Sequence, residues 1–96
     1  MELNSKQKKY LKGLAHPLKA NVMVGQNGIS EAVLKEIETT LDCHELIKIR
    51  IRCEDQSELK PLLDSIVQQV NAALVQVVGH TVTLYREGTE AKIKLP

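Results

Sequence analysis

Val22-Met23-Val24-Gly25-Gln26-Asn27-Gly28-Ile29-Ser30 reads as a short strand, a four-residue Gly-x-x-Gly loop and the opening of a helix. Val22 and Val24 are β-branched and spaced to bury one strand face. Gly25 and Gly28 lack side chains, so the loop lets another molecule approach its backbone. Ser30 suits the N-cap of the following helix, Glu31 its first turn, and Ile29 with Leu34 has the spacing of a hydrophobic staple. The free N–H groups of that helix start favour an anion in the loop. The loop is therefore expected to hold a nucleic-acid backbone, with Gln26 and Asn27 as hydrogen-bonding side chains.

Upstream, residues 4–15 suit a helix capped by Asn4 or Ser5 and stopped by Pro17. On a helical wheel Leu3, Gln7, Tyr10, Leu11 and Leu14 share one side, while Lys8, Lys9 and Lys12 fan across the other with Lys6 at its edge. Downstream, residues 30–42 form a helix with Val33, Leu34, Ile37 and Leu41 inward and Glu31, Lys35, Glu38 and Asp42 outward. Residues 45–53 then alternate: Ile47, Ile49, Ile51 and Cys53 point one way, Leu46, Lys48, Arg50 and Arg52 the other. A third helix starts between Ser57 and Lys60, with Pro61 in its first turn, and runs to about Ala73. Its core side is Leu59, Leu62, Leu63, Ile66, Val67 and Val70. Leu74–Val78, the Gly79-His80 turn and Thr81–Arg86 close the chain as an antiparallel hairpin that buries Val82 and Leu84.

The order is α-β-α-β-α-β-β, an α/β fold of two layers. Its strand–helix–strand crossovers favour parallel neighbours, and the final hairpin adds an antiparallel strand. The sheet face away from the helices is expected to be polar and basic, partly covered by the first helix over Met23, Leu46 and Tyr85. Residues 1–96 read as a single domain, with 89–96 a loose tail from which Ile93 and Leu95 could dock.

The chain has 96 residues, 43% of them hydrophobic and 26% charged, the balance of an ordinary folded domain. Phe and Trp are absent and Tyr10 and Tyr85 are the only aromatics, so the core is aliphatic and base stacking has little to work with. Net charge is only +1, but the charges are sorted. Residues 6–19 carry Lys6, Lys8, Lys9, Lys12 and Lys19 without an acid, 48–52 carry Lys48, Arg50 and Arg52, and the acids gather in 31–45 and 54–64. One basic side and one acidic side follow.

Cys43 and Cys53 read as two reduced thiols of a cytoplasmic protein, and His16, His44 and His80 lack ligand spacing, so no metal or other cofactor is expected. No signal-peptide pattern or long apolar run appears, so no membrane partner is expected. The loop is neither a nucleoside-triphosphate cradle, for want of the Gly-x-x-x-x-Gly-Lys-Ser/Thr pattern, nor a dinucleotide fingerprint, for want of a third glycine. No Ser-His-Asp or Cys-His set can be assembled, which makes an enzyme the least favoured class.

The ordered set Lys9-Tyr10-Leu11-Lys12-Gly13-Leu14-Ala15-His16-Pro17-Leu18, Val22–Ser30, Glu45–Arg50, Val75–Arg86 and Ile93-Lys94-Leu95-Pro96 resembles the CRM domain, the chloroplast RNA splicing and ribosome maturation family. The likeness spans almost the whole chain, which looks like the stand-alone bacterial member. It implies a four-stranded mixed sheet of order 1-2-4-3 with the last strand antiparallel to the rest, similar to the C-terminal domain of translation initiation factor three. It also implies binding to ribosomal RNA in precursors of the large subunit, with no DNA partner. The Gly-x-x-Gly loop is the implied RNA contact, akin to the backbone clamp of KH domains. Gln26 stands where the family commonly has lysine, and Ala20 where it often has proline. Lys8, Lys9 and Lys12, with Lys6 and Lys19, are expected to neutralise phosphate, and Lys48, Arg50, Arg52 and Arg86 form a second basic cluster. The competing reading is a protein-binding adaptor that docks through its acidic helices.

Overall fold

Asn4 decides where the first helix begins. In a computed structural model describing residues 3–25, 29–53, 55–88 and 92–96, α1 (Ser5–Ala15) opens on a capping box. Asn4 Oδ1 accepts the Gln7 backbone N–H at 2.8 Å, and Gln7 Oε1 accepts that of Asn4 at 3.1 Å. β1 (Val22–Val24) buries Val22 and Val24 and exposes Met23. α2 (Glu31–His44) starts on Ser30, whose Oγ accepts the Val33 N–H at 3.2 Å, and runs two residues beyond the expected end. It stops at Glu45, which takes φ +63°.

β2 (Leu46–Ile51) follows, then a 3₁₀ turn over Gln56–Glu58 and α3 (Leu59–Val70). The third helix was expected to reach Ala73. It ends at Val70 because Asn71 turns left-handed at φ +53° and its N–H returns to the Val67 carbonyl, as asparagine does at helix ends. β3 (Ala73–Val78) therefore begins one residue early, and the Gly79 turn, at φ +58°, leads into β4 (Thr81–Tyr85).

The strands form one four-stranded sheet in the order β1-β2-β4-β3. β1 and β2 are parallel, and β4 runs antiparallel to both β2 and β3. The second crossover thus produces a strand parallel to β2 that is not its neighbour, because β4 lies between them.

Two cores result. The larger unites Ile37 and Leu41 of α2, Leu63, Ile66 and Val70 of α3 and the strand residues Ile47, Ile49, Ile51, Val82 and Leu84. Ile29 and Leu34, the two staple residues, both pack against it. The smaller lies on the opposite face, where Leu11 and Ala15 of α1 cover Leu46, Val75 and Tyr85. α1 thus covers part of the second face, as expected for Leu46 and Tyr85, but Met23 stays 49% exposed.

The buried line of α1 runs through Leu11 and Ala15 rather than through Tyr10 and Leu14, which are 43% and 39% exposed. The wheel could not anticipate this, because it sorts residues by angle alone, whereas the contact with Leu46, Val75 and Tyr85 falls on Leu11 and Ala15. Of the two arrangements the sequence left open for the tail, the structure has the docked one at its end. Over 92–96 it is docked, with Ile93 and Leu95 against the smaller core. Glu45 holds it: its carboxylate is buried and accepts the backbone N–H groups of Gly88, Lys92 and Ile93 at 2.9, 3.1 and 2.8 Å.

Candidate nucleic-acid interface

Parallel pairing of β1 with β2 sets the place of the glycine loop. Val24 lies opposite Ile51, and the Arg52 N–H donates to the Val24 carbonyl at 2.8 Å, so Gly25 leaves the sheet beside Arg52. On the other side of β2 the Ile51 N–H donates to the His80 carbonyl at 2.9 Å. The loop start, Arg52 and the Gly79-His80 turn therefore share one end of the sheet, spanning two strand spacings, about 10 Å.

Gly25 is exposed, its φ is not left-handed, and a Cβ added there would meet nothing within 4 Å. Among the described residues nothing demands glycine at this position, so its bare backbone is open to an approaching molecule. Gln26, Asn27 and Gly28 lie outside the described residues.

The basic residues separate by place. Arg50 and Arg52 are exposed near the loop, and Met23 pairs with Arg50 across the β1–β2 ladder. Lys48, partly buried, donates from Nζ to the Leu18 carbonyl at 3.1 Å, which ties β2 to the connection after α1. Lys12 and Lys48 come together as walls of one groove of about 360 Å³ between α1 and the sheet, with His16, Gln76, Thr81 and Thr83. Lys8 precedes Lys12 by one helical turn on the same flank of α1. Lys9 and Lys6 lie further round the helix, and Lys19 is exposed in the connection to β1.

Arg86 does not join them. It follows Tyr85 on the α2–α3 side, where it donates to the carbonyls of Val70 (2.8 Å) and Glu38 (3.2 Å) and pairs with Asp42 at 2.6 Å and Glu38 at 3.6 Å. The expected cluster of four basic residues is therefore three, because two carboxylates of α2 neutralise Arg86. The same pairs spend part of the acidic face that an adaptor would use.

His16, Gln76, Thr81 and Thr83 were not singled out from the sequence. The signal that places Gln76 is a break in register: Leu74 pairs with Leu84 but Gln76 pairs with Thr83, so one extra residue sits in β3. Such a bulge shifts the alternation by one residue. Val75 faces α1, and Gln76 and Val78 line the groove on that same side. Periodicity alone would have sent Gln76 to the opposite face.

Glu45 was likewise missed, being read with the solvated acids. Burial raises its pKa, but the N–H groups of Ile93, Lys92 and Gly88 and the charge of Lys92 outweigh that and hold it below the ordinary 4.5. Burial, with Glu45 and Glu87 nearby, pushes the Tyr85 phenol up from 10.0. Among the described residues no cluster of His, Cys, Asp and Glu could hold a metal ion, and no helix is long and apolar enough to cross a membrane. Cys43 and Cys53 are both free thiols.

The family model for the CRS1 / YhbY (CRM) domain matches residues 3–86. The chain belongs to this family. An RNA-binding protein of Haemophilus influenzae is 49% identical over 94 residues, covering 98% of this chain and 95% of that one. The Bacillus subtilis protein YqeI is 34% identical over 95 residues, covering 98% and 99%. The CRM fold is shared with a hypothetical protein of Staphylococcus aureus solved in solution, with TM-score 0.86, 38% identity and coverage of 99% and 100%. The likenesses to these three run over nearly the whole of both chains.

Proposed function

We propose that this CRM protein binds RNA through the sheet end and the α1 flank, and that its target is ribosomal RNA in precursors of the large ribosomal subunit, whose maturation it assists in the cytoplasm. The observation that carries the reading is the placing of the cations. Arg52 stands beside the bare Gly25, Arg50 precedes it on β2, and Lys48 lines the α1 groove with Lys12. A phosphate backbone needs this combination: cations along a path, and a glycine loop where the chain can touch it. Gly25, Gln26, Asn27 and Gly28 are the clamp, and Lys8, Lys12, Lys48, Arg50 and Arg52 are the phosphate contacts. The Haemophilus influenzae relative named an RNA-binding protein supports the ligand class. Membership of a family linked to ribosome maturation motivates the choice of RNA.

The test is crosslinking in cells followed by sequencing of the recovered RNA, with the protein's sedimentation followed in parallel. Enrichment of large-subunit ribosomal RNA, and cosedimentation with particles smaller than the mature subunit, is the expected result. Recovery of unrelated RNA would refute the ribosomal target. Recovery of protein partners without RNA would favour the adaptor.

A further inference from the structure

The groove between α1 and the sheet has more in it than phosphate binding needs. Its cations, Lys12 and Lys48, stand with an amide, two hydroxyls and the side chain of Val78. Val78 is 61% exposed, the most exposed large apolar residue of those described, at the mouth of a polar site. Gln76 and Val78 reach the groove only through the β3 bulge, which shifts both from the α2–α3 side to the α1 side. A ladder residue has been inserted and an apolar side chain left uncovered, and the result is one neutral donor–acceptor group beside one apolar wall.

We propose that this groove seats a single unpaired RNA nucleotide, its phosphate held between Lys12 and Lys48 and its base edge read by Gln76 against Val78. The proposal rests on the RNA-binding reading above and adds a place where sequence or unpairedness is sensed. The volume, about 360 Å³, falls in the range of pockets that enclose small planar ligands. Unpaired nucleotides offer Watson–Crick edges that a glutamine amide can bond, whereas in a paired A-form helix those edges are engaged with the opposite strand. Neither tyrosine serves as a platform, since Tyr85 is buried in the smaller core and Tyr10 lies outside the groove lining; the His16 imidazole is the ring the lining offers for stacking, and Gln76 adds edge recognition to it. The Thr81 and Thr83 hydroxyls beside Gln76 suit the polar ribose.

The experiment uses the full chain and two labelled RNAs of equal length, a hairpin with an unpaired loop and a blunt duplex, titrated at several salt concentrations. Gln76→Ala is expected to weaken hairpin binding roughly three- to tenfold, the scale of one lost hydrogen bond, with duplex binding and the salt slope unchanged. Gln76→Glu, which keeps the shape and adds a negative charge, weakens the hairpin further. Lys12→Gln weakens both RNAs and lowers the slope by about one unit. Thermal melts confirm that each variant is folded. Equal affinity of Gln76→Ala and wild type for the hairpin overturns the proposal while leaving RNA binding intact. Equal loss on hairpin and duplex overturns it too. Failure of the wild type to bind either RNA overturns the RNA-binding reading and the nucleotide site with it.

Discussion

Glu45 carries the smaller core. At φ +63° it ends α2, and its buried carboxylate gathers three backbone N–H groups from Gly88 and the tail. Gly88 is bare because a Cβ there would lie 2.7 Å from Glu45 Oε2. Glu45→Gln turns an amide NH₂ towards groups that are themselves donors, so the expected loss is about 2 kcal/mol in urea denaturation, with faster hydrogen exchange at Ile93. The pH dependence has a definite sign. A folded pKa below the ordinary 4.5 means that the Glu45 contribution is complete above that value and is lost as pH falls through the lower folded one. Wild-type stability should therefore drop more steeply below the ordinary value than that of Glu45→Gln, and parallel pH profiles would refute the role of the carboxylate. Gly25 is the opposite kind of glycine, open to solvent, with room for a Cβ among the described residues. Gly25→Asp is expected to leave stability within about 0.5 kcal/mol and to lower RNA affinity at least about tenfold, as a like charge set against phosphate does. Unchanged affinity in the folded variant would remove the loop from the interface.

At the scale of elements, Arg86 joins the end of β4 to α2 and α3 through two carbonyls and two carboxylates. Arg86→Met should cost about 1–2 kcal/mol, since the carboxylates are well exposed and only the Val70 bond is partly shielded. RNA affinity of the folded variant should be unchanged. A loss of binding without a loss of stability would return Arg86 to the interface. The α1 wheel shows how far pattern reading reaches. It identified the helix, its lysine-rich side and Leu11 as inward, but counted Tyr10 and Leu14 with the buried face and left out Ala15. The correction brings Lys12 to the rim of the buried face, where it meets Lys48. α1 and β2, read from the sequence as two basic clusters, therefore meet in one groove through Lys12 and Lys48.

For the whole molecule, a net charge of only +1 hides a separation of charge between two faces. The α2–α3 side carries the acids and consumes Arg86, while the α1 side and the sheet end carry the cations. If about five phosphates are neutralised, the logarithm of the RNA association constant should fall with the logarithm of salt concentration at a slope of about −4. A filter-binding series measures it. A slope near zero would mean that the basic face does not meet phosphate.

Local patterns were enough to read the strands, the helices, the Ser30 cap, the aliphatic core and the basic side, because each rests on neighbours within a turn or a few residues. The family resemblance supplied the strand order. What required the tertiary structure was every feature in which residues far apart in the chain choose each other. Glu45 looks like any surface acid until Gly88, Lys92 and Ile93 are set against it, and Arg86 looks like an RNA-binding cation until Glu38 and Asp42 are set against it. Gln76 looks like an ordinary strand residue until a bulge against Thr83 turns it into the groove. Secondary structure follows from short-range periodicity and backbone preference, whereas the charge state and accessibility of a side chain depend on which distant surface is packed over it.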